Sequence, residues 1–402
     1  MPQDYLNHLI QKSESKIVLL VLDGLGGLPR ETNGLTELET ANTPHLDQLA
    51  AEGILGLSEP IKAGITPGSG PAHLALFGYD PIVHEVGRGA LSSAGVGVRI
   101  KPGDISARGN FCTLDSEGKI IDRRAGRLPN EESAPVVDIL QGIQVPGVEI
   151  EVRQVKEYRF TVIMRGKGLN PALEDTDPQK TGVTPLPVVA TKPEAEYTAK
   201  LFNQWIEKAF VEISDQPKAN GLTLRGFATD PELISYQDAY GLRAACIAAY
   251  PMYKGVASLV GMDILNFVGD HPEDEFKALK DNWEKFDFFF VHIKKTDSMG
   301  EDGNFEGKVE IIESVDTALP ELIELKPDVL IITGDHSTPS VLKSHSWHPV
   351  PLLLWTPGVH LPDHEKQFGE RACGRGGLGI IPAMDIMPLA LAHAGRLAKY
   401  GA

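Results

Sequence analysis

Residues 328–337 read Asp-Val-Leu-Ile-Ile-Thr-Gly-Asp-His-Ser. An unbroken apolar run of strand length ends abruptly in two metal-ligating residue types. Apolar runs without polar alternation suit strands buried on both faces, the condition of a parallel sheet flanked by helices. The same grammar recurs along the chain. Ile17–Leu22 (IVLLVL) runs into Asp23-Gly24, Phe286–Ile293 (FDFFFVHI) into Lys294-Lys295-Thr296-Asp297, and Pro351–Trp355 (PLLLW) into Thr356-Pro357-Gly358. Helical patterns lie between them, at Thr43–Glu52 with Pro44 in the first turn and at Phe305–Leu325. Strands alternating with helices predict an α/β sheet. Ligands of such sheets sit at the carboxyl ends of the strands, where Asp23, Asp297, Asp335 and His336 fall.

From about Glu85 to Tyr253 the strand patterns are shorter and more polar, as in GVGVRI, GDISARGNFCTL, VEIEVRQVKEYRFTVIMRG and NGLTLRGF. Turn signals such as Asp115-Ser-Glu-Gly118 recur. This predicts a smaller α+β domain over residues 86–253, inserted into a discontinuous sheet domain of residues 1–85 and 254–402. One large continuous sheet is the alternative. Residues 168–187, rich in Pro, Gly and Asp, read as a loop.

The 402 residues leave room for two or three domains and a large core. Basic residues number 38 and acidic 55, a net charge of −17. That balance argues against nucleic acid and anionic membrane as partners but leaves room for a small anion in a local basic pocket. Cys112, Cys246 and Cys373 are far apart and form no C-x-x-C, as expected of buried thiols in a cytoplasmic protein. Met1–Lys16 has no signal-peptide core, and no window has the roughly 20 apolar residues of a membrane helix. Nothing in the pattern specifies self-association.

Three sets of residues carry potential chemistry. Asp23, Asp297, Asp335, His336 and His345 are oxygen and nitrogen donors suited to divalent cations, and buried carboxylates at a sheet edge need such partners. Ser69, in Thr66-Pro-Gly-Ser-Gly-Pro-Ala-His73, precedes a helical pattern. A helix N-terminus favours a developing anion, so Ser69 is a candidate nucleophile that a metal would activate. An N-cap serine is the alternative. The middle domain carries Arg108, Arg123, Arg124, Arg127, Arg153, Arg159, Arg165, Arg225 and, at its edge, Lys254. Guanidinium forks match phosphate and carboxylate. Gly374-Arg-Gly-Gly-Leu-Gly379 matches a dinucleotide fingerprint in letters only, because it follows a charged loop rather than a strand.

Taken together, the blocks VLLVLDGLGG, TPGSGPAHLALFGYDP, ARGNFCTL, DRRAGR, HIKKTDSMGEDGNFEGKVEIIESVD and TGDHSTPSVLKSHSWHPVP resemble the cofactor-independent phosphoglycerate mutases, in the archaeal-type branch of the alkaline phosphatase superfamily. The resemblance spans nearly the whole chain. It implies an alkaline-phosphatase-like sheet and two divalent ions, Mn²⁺ or Mg²⁺ foremost, with Zn²⁺ or Co²⁺ as alternatives. One ion would be held by Asp23, Ser69, Asp335 and His336, the other by Asp297, His345 and Glu301. Ser69 would accept the phosphoryl group of 3-phosphoglycerate and return it to the other hydroxyl. Asp122, Arg124 and Lys254 would join the catalysis, and Asn110, Arg123, Arg127, Arg159, Arg165 and Arg225 would bind the substrate. The inserted domain would act as a lid against water. Asp297-Ser-Met-Gly-Glu301 departs from the D-x-x-G-H pattern of the wider family, and a Glu there hardens the site toward Mg²⁺ or Mn²⁺. His348 competes with His345 as ligand. The rival readings are a phosphohydrolase or phosphotransferase with another acceptor, a serine esterase without G-x-S-x-G, and a non-catalytic phosphate-binding protein.

Overall fold

The computed structural model describes residues 6, 8–358, 361–363 and 365–401. The chain opens with β1 (Ile17–Leu22) and β2 (Ile54–Glu59). It then builds β3 (Ile105–Leu114), β4 (Ile120–Asp122), β5 (Glu149–Lys156), β6 (Arg159–Arg165) and β7 (Gly221–Ala228). It returns with β8 (Ala244–Ala248), β9 (Asp263–Ile264), β10 (Phe288–Ile293), β11 (Val329–Thr333), β12 (Val350–Trp355) and β13 (Gly379–Pro382). Among the described residues these form an eight-stranded sheet, β13-β2-β12-β11-β1-β10-β8-β9, and a separate five-stranded sheet of β3–β7. The strands thus form two sheets rather than the one continuous sheet of the alternative reading. The chain divides into one unit of Met1–Glu85 with Leu233–Ala402 and a second of Val86–Glu232.

The central strands of the large sheet are parallel, with β1 between β11 and β10 and β10 beside β8. Every residue of β1, β10 and β11 is buried, as their predominantly apolar runs lead one to expect. One face packs Val18, Leu20, Phe289, Val291, Leu330 and Ile332 against helical residues such as Leu46, Leu49, Phe276, Ile312, Val315 and Leu319. The other face meets an aromatic layer, with Phe77 edge-on to Phe290 and Tyr236 against Phe288. Each such side chain taken out of water stabilises the unit by about 25 cal/mol per Å² of apolar surface.

Three sequence expectations change. The second border of the insertion, expected at residue 253, lies between Glu232 and Leu233. The reason is β8, AACIA, a fully buried strand of the large sheet whose small side chains give a weak apolar signal. GVGVRI is not a strand: its first glycine ends the helix Arg88–Gly95 and the rest is irregular. The strand containing Pro351–Trp355 pairs antiparallel with both β11 and β2. A loop rather than a crossover helix connects β11 to it, so the chain simply turns back. That loop carries His336, Thr338 and His345.

In the smaller unit β3 is central, pairing antiparallel with β6, β7 and β4. Its core includes Phe111, Phe160, Phe202 and Trp205. No helix of the described residues is long and apolar enough to cross a membrane, and the three cysteines are free and buried.

Candidate active site

The carboxyl ends of β1, β10 and β11, adjacent in the sheet, bring Asp23, Lys294–Asp297 and Asp335–His336 together. Asp23, Asp335 and His336 have no solvent exposure. His336 Nε2 lies 3.3 Å from Asp23 Oδ1 and 3.3 Å from Asp335 Oδ2. It also lies 3.2 Å from Ser69 Oγ. Ser69 is half-buried and is the first residue of the helix Ser69–Leu76, where no side chain caps the N-terminus. Its hydroxyl thus shares the free end of the helix dipole with an imidazole and two carboxylates.

Asp297 and His345 form a second group that also includes His336. The His336 and His345 rings stack at 3.7 Å. His345 Nε2 is 3.6 Å from Asp297 Oδ1 and 3.8 Å from Glu301 Oε1, and its Nδ1 is 2.9 Å from the Pro67 carbonyl. His348 instead stacks on Trp347 and places Nδ1 3.0 Å from Ser346 Oγ, so His345 is the histidine at the carboxylates. Glu301 is the outermost of the set, with a side chain 55% exposed.

Several groups here escaped the sequence reading. Lys294 Nζ bridges Asp23 Oδ2, at 2.9 Å, and Asp297 Oδ2. Tyr253 donates its hydroxyl to Asp23 Oδ2. His292, buried in β10, stacks on the Tyr253 ring at 3.7 Å. His73, one turn after Ser69, holds Nδ1 2.7 Å from the Ser69 carbonyl and 3.3 Å from Asp335 Oδ2. The available signals were a histidine inside FFFVHI and another inside AHLALF, polar letters in otherwise apolar runs. Lys254 is half-buried on the helix Pro251–Leu259, and Lys294 rather than Lys254 is the ammonium that reaches the carboxylates.

The electrostatics are those of a cation site. Burial pushes the His336 and His292 imidazoles well below their ordinary range and His73 down to about 4, so all three are neutral near pH 7. Burial and then the Asp23 carboxylate push Asp335 well up. Burial also opposes the Asp23 charge, but the Lys294 ammonium, together with the Tyr253 hydroxyl that donates to it, holds its carboxyl well below the usual range. For Lys294 burial is likewise outweighed, by Asp23 and Asp297, which push it up. Asp23 Oδ1 and Asp335 Oδ2 are buried without a hydrogen-bond donor. Unpaired buried carboxylate oxygens are costly, and a divalent cation satisfies both while relieving their repulsion. The residues therefore fit a metal.

The smaller unit holds a separate basic cluster. In the register of β6, β3 and β7, Arg108 pairs with Thr161 and Arg225, and Asn110 with Arg159 and Thr223, all on one face of the sheet. Burial, then Arg88, Arg159 and Arg225, push the Arg108 guanidinium down to about 10. Arg108 Nε and Asn110 Oδ1 are buried without partners. Crowded, underpaired guanidinium groups are a ready anion site. Arg88 was not singled out from the sequence, because it stands alone in Glu85-Val-Gly-Arg88. Arg123 makes a bidentate pair with Asp177, and Arg225 reaches Asp175 and Asp177. Arg165 is spent on Glu151 and Asp104 at the far end of β6, away from Arg159. Asp122 accepts from the Arg124 and Gly126 backbone N–H groups, which shapes the loop bearing exposed Arg124 and Arg127. Ala125, Gly126 and Arg127 all have positive φ there. Holding non-glycine residues in that region costs of order 1 kcal/mol each.

Comparison with known proteins agrees with these features. The description "Metalloenzyme superfamily" matches residues 15–393. A "Probable 2,3-bisphosphoglycerate-independent phosphoglycerate mutase" of Thermus thermophilus is 54% identical over 401 residues, spanning 99% of this chain and 98% of the relative. The protein of the same description from Deinococcus radiodurans is 52% identical, over 99% of each chain. Among solved structures, a protein from Pyrococcus horikoshii superposes with a TM-score of 0.83 at 32% identity, covering 96% of this chain and 99% of the other. A cofactor-independent phosphoglycerate mutase from Thermoplasma acidophilum does so with a TM-score of 0.72 at 29% identity, covering 95% and 100%.

Proposed function

The chain belongs to the metalloenzyme superfamily, among its 2,3-bisphosphoglycerate-independent phosphoglycerate mutases, and on that premise we propose how its residues divide the reaction. The activity is the interconversion of 3- and 2-phosphoglycerate without added bisphosphoglycerate. Divalent metal binding belongs to the family and suits the ligand groups. We assign Asp23, Asp335 and His336, with Ser69, to one ion, and Asp297, His345 and Glu301 to a second, of Mn²⁺ or Mg²⁺ type. Bound there, such ions supply Lewis-acid stabilisation of phosphoryl oxygens and lower the pKa of a serine hydroxyl.

Ser69 Oγ attacks the phosphorus of 3-phosphoglycerate as the bond from phosphorus to the C3 oxygen breaks, and the serine proton passes to that oxygen, giving a phosphoserine and bound glycerate. Glycerate reorients, its C2 oxygen attacks the phosphorus as the bond to Ser69 Oγ breaks, and the C2 hydroxyl proton returns to Ser69. The single observation that carries this reading is the convergence of Ser69 Oγ, Asp23 Oδ1 and Asp335 Oδ2 on His336 Nε2. Lys294 neutralises part of the carboxylate charge. Glycerate also carries a carboxylate, so it calls for more cations than one phosphate does. Arg108, Arg159 and Arg225 with Asn110, joined by Arg88, provide them in the smaller unit. Arg123, tethered by Asp177, braces that group. Asp122 holds the loop of Arg124 and Arg127 in place, and Lys254 adds a further cation. Arg165, already neutralised, is left out. The free, buried cysteines support a cytoplasmic setting.

The test is turnover of metal-stripped protein with 3-phosphoglycerate, read as 2-phosphoglycerate through enolase and as inorganic phosphate in parallel. Mn²⁺ or Mg²⁺ should restore 2-phosphoglycerate without phosphate release, and Ser69→Ala should abolish it by at least about 10³-fold. Phosphate as the sole product would make the chain a hydrolase instead.

A further inference from the structure

Thr338 lies two residues beyond His336 in the loop after β11 and is fully buried. Its hydroxyl touches both ligand groups. Oγ1 is 2.7 Å from Asp297 Oδ1 and 3.0 Å from His336 Nδ1. A threonine hydroxyl has one proton to donate. The Asp297 carboxylate, whose other oxygen faces the Lys294 ammonium, only accepts. The hydroxyl proton therefore goes to Asp297, and Nδ1–H of His336 must donate to Oγ1. That leaves Nε2 as the nitrogen with the available lone pair, and Nε2 is the atom facing Asp23, Asp335 and Ser69.

The surroundings keep Thr338 from turning away. Lys308 Nζ, fully buried on the helix Phe305–Ile323, donates to the carbonyls of Gly24 at 2.8 Å, Gly26 at 3.2 Å and Thr338 at 2.9 Å. The Thr338 N–H returns to the Gly24 and Gly26 carbonyls. Gly24 has φ +62°, and a Cβ there would sit 2.5 Å from Thr338 Oγ1. A Cβ on Gly300 would sit 2.3 Å from the Thr338 carbonyl oxygen. Two glycines thus clear the space the threonine fills.

We propose that Thr338 is a positioning residue that holds His336 as the Nδ1–H tautomer and ties it to Asp297, making Nε2 the ligand nitrogen and coupling the two ligand groups. The inference rests on the metal reading given above. Partners of this kind on a ligand histidine fix its orientation and basicity, and their loss costs about 10–100-fold in metal affinity.

The test compares the wild type with Thr338→Val, which keeps the shape and removes the hydroxyl, and Thr338→Ser, which keeps the hydroxyl. On metal-stripped, ¹⁵N-histidine-labelled protein, NMR should show His336 as Nδ1–H in the wild type and T338S, and not in T338V. Titrated Mn²⁺ should bind T338V about 10–100-fold more weakly and T338S within a few-fold of the wild type. At saturating Mn²⁺, T338V should lose kcat while KM for 3-phosphoglycerate stays within about twofold. Melting in EDTA monitors the fold separately. Wild-type Mn²⁺ affinity together with an Nδ1–H His336 in T338V would overturn the proposal. A wild type that binds no Mn²⁺ would overturn the metal reading alone. The tautomer measurement would then decide Thr338 by the same criterion.

Discussion

At the scale of single residues, the two ends of the chemistry show opposite electrostatic economies. Asp23 and Asp297 gather around one ammonium, Lys294, with Asp335 crowded beside Asp23, while Arg108 is crowded by Arg88, Arg159 and Arg225. Each arrangement is unfavourable alone and relieved by a ligand of the opposite sign. Arg108→Met should therefore act twice. Its removal relieves repulsion and an unpartnered buried group, so the free protein should melt higher. The same change should raise KM for 3-phosphoglycerate by roughly 10–100-fold, the worth of one charge-assisted contact. Thermal melting and initial-rate kinetics on the same preparation check both halves, and unchanged KM would remove Arg108 from the substrate site. The meeting of Asp23, Asp335 and His336 was legible in advance. Asp23 and the Asp335-His336 pair each follow an apolar run, and several such strand ends in one chain outweigh reading each as a turn with an Asp cap. Lys294, Tyr253, His73 and Thr338 were not legible, because their importance lies in which atoms they face across the sheet. Glu301, which the resemblance implies as a ligand of the second ion, stands half in solvent beside His345.

At the scale of elements, the helix Pro272–Asp281 carries a cost that pH exposes. Glu275 is buried, and Oε2 has no hydrogen-bond partner. Burial, then Asp270 and Asp274, with Glu273 adding, push its carboxyl up to about 9, while Lys295 opposes them. A raised folded pKa means that the folded state holds a proton the unfolded state releases. The stability it contributes is present below the ordinary carboxyl range and is lost as pH rises toward about 9, at about 1 kcal/mol per pH unit. Glu275→Gln should therefore raise the melting temperature clearly at pH 8 and little at pH 5. Equal shifts at both values would show that Glu275 is not protonated in the fold. Strand recognition at this scale followed side-chain volume. IVLLVL gave β1 residue for residue, because six large apolar side chains in a row, too few for a helix, suit a doubly buried strand. AACIA carries the same burial with little volume, so β8 was absorbed into the insertion and the border moved with it. GVGVRI alternates like a strand, yet the preceding helix claims its first residue and its glycines favour a turn.

At the scale of the whole molecule, the two units carry clusters of opposite charge character. The carboxylate–histidine groups belong to the larger unit, and the arginine cluster belongs to the smaller. The net charge of −17 hides this division, since it averages over both. If the larger unit's ligands bind metal only when folded, Mn²⁺ at 100 times its Kd should stabilise the protein by about 3 kcal/mol. Asp335→Asn should lose most of that gain, as read by melting with and without Mn²⁺. Central to the proposed mechanism is Ser69 as the temporary holder of the phosphoryl group. The most direct measurement is rapid acid quench of the Mn²⁺-loaded protein during turnover of 3-phosphoglycerate, followed by peptide mass spectrometry. The expected result is one added phosphoryl group on the peptide containing Ser69, absent without substrate. Sustained turnover with Ser69 unmodified at every quench time, or with the phosphoryl group on another side chain, would contradict it.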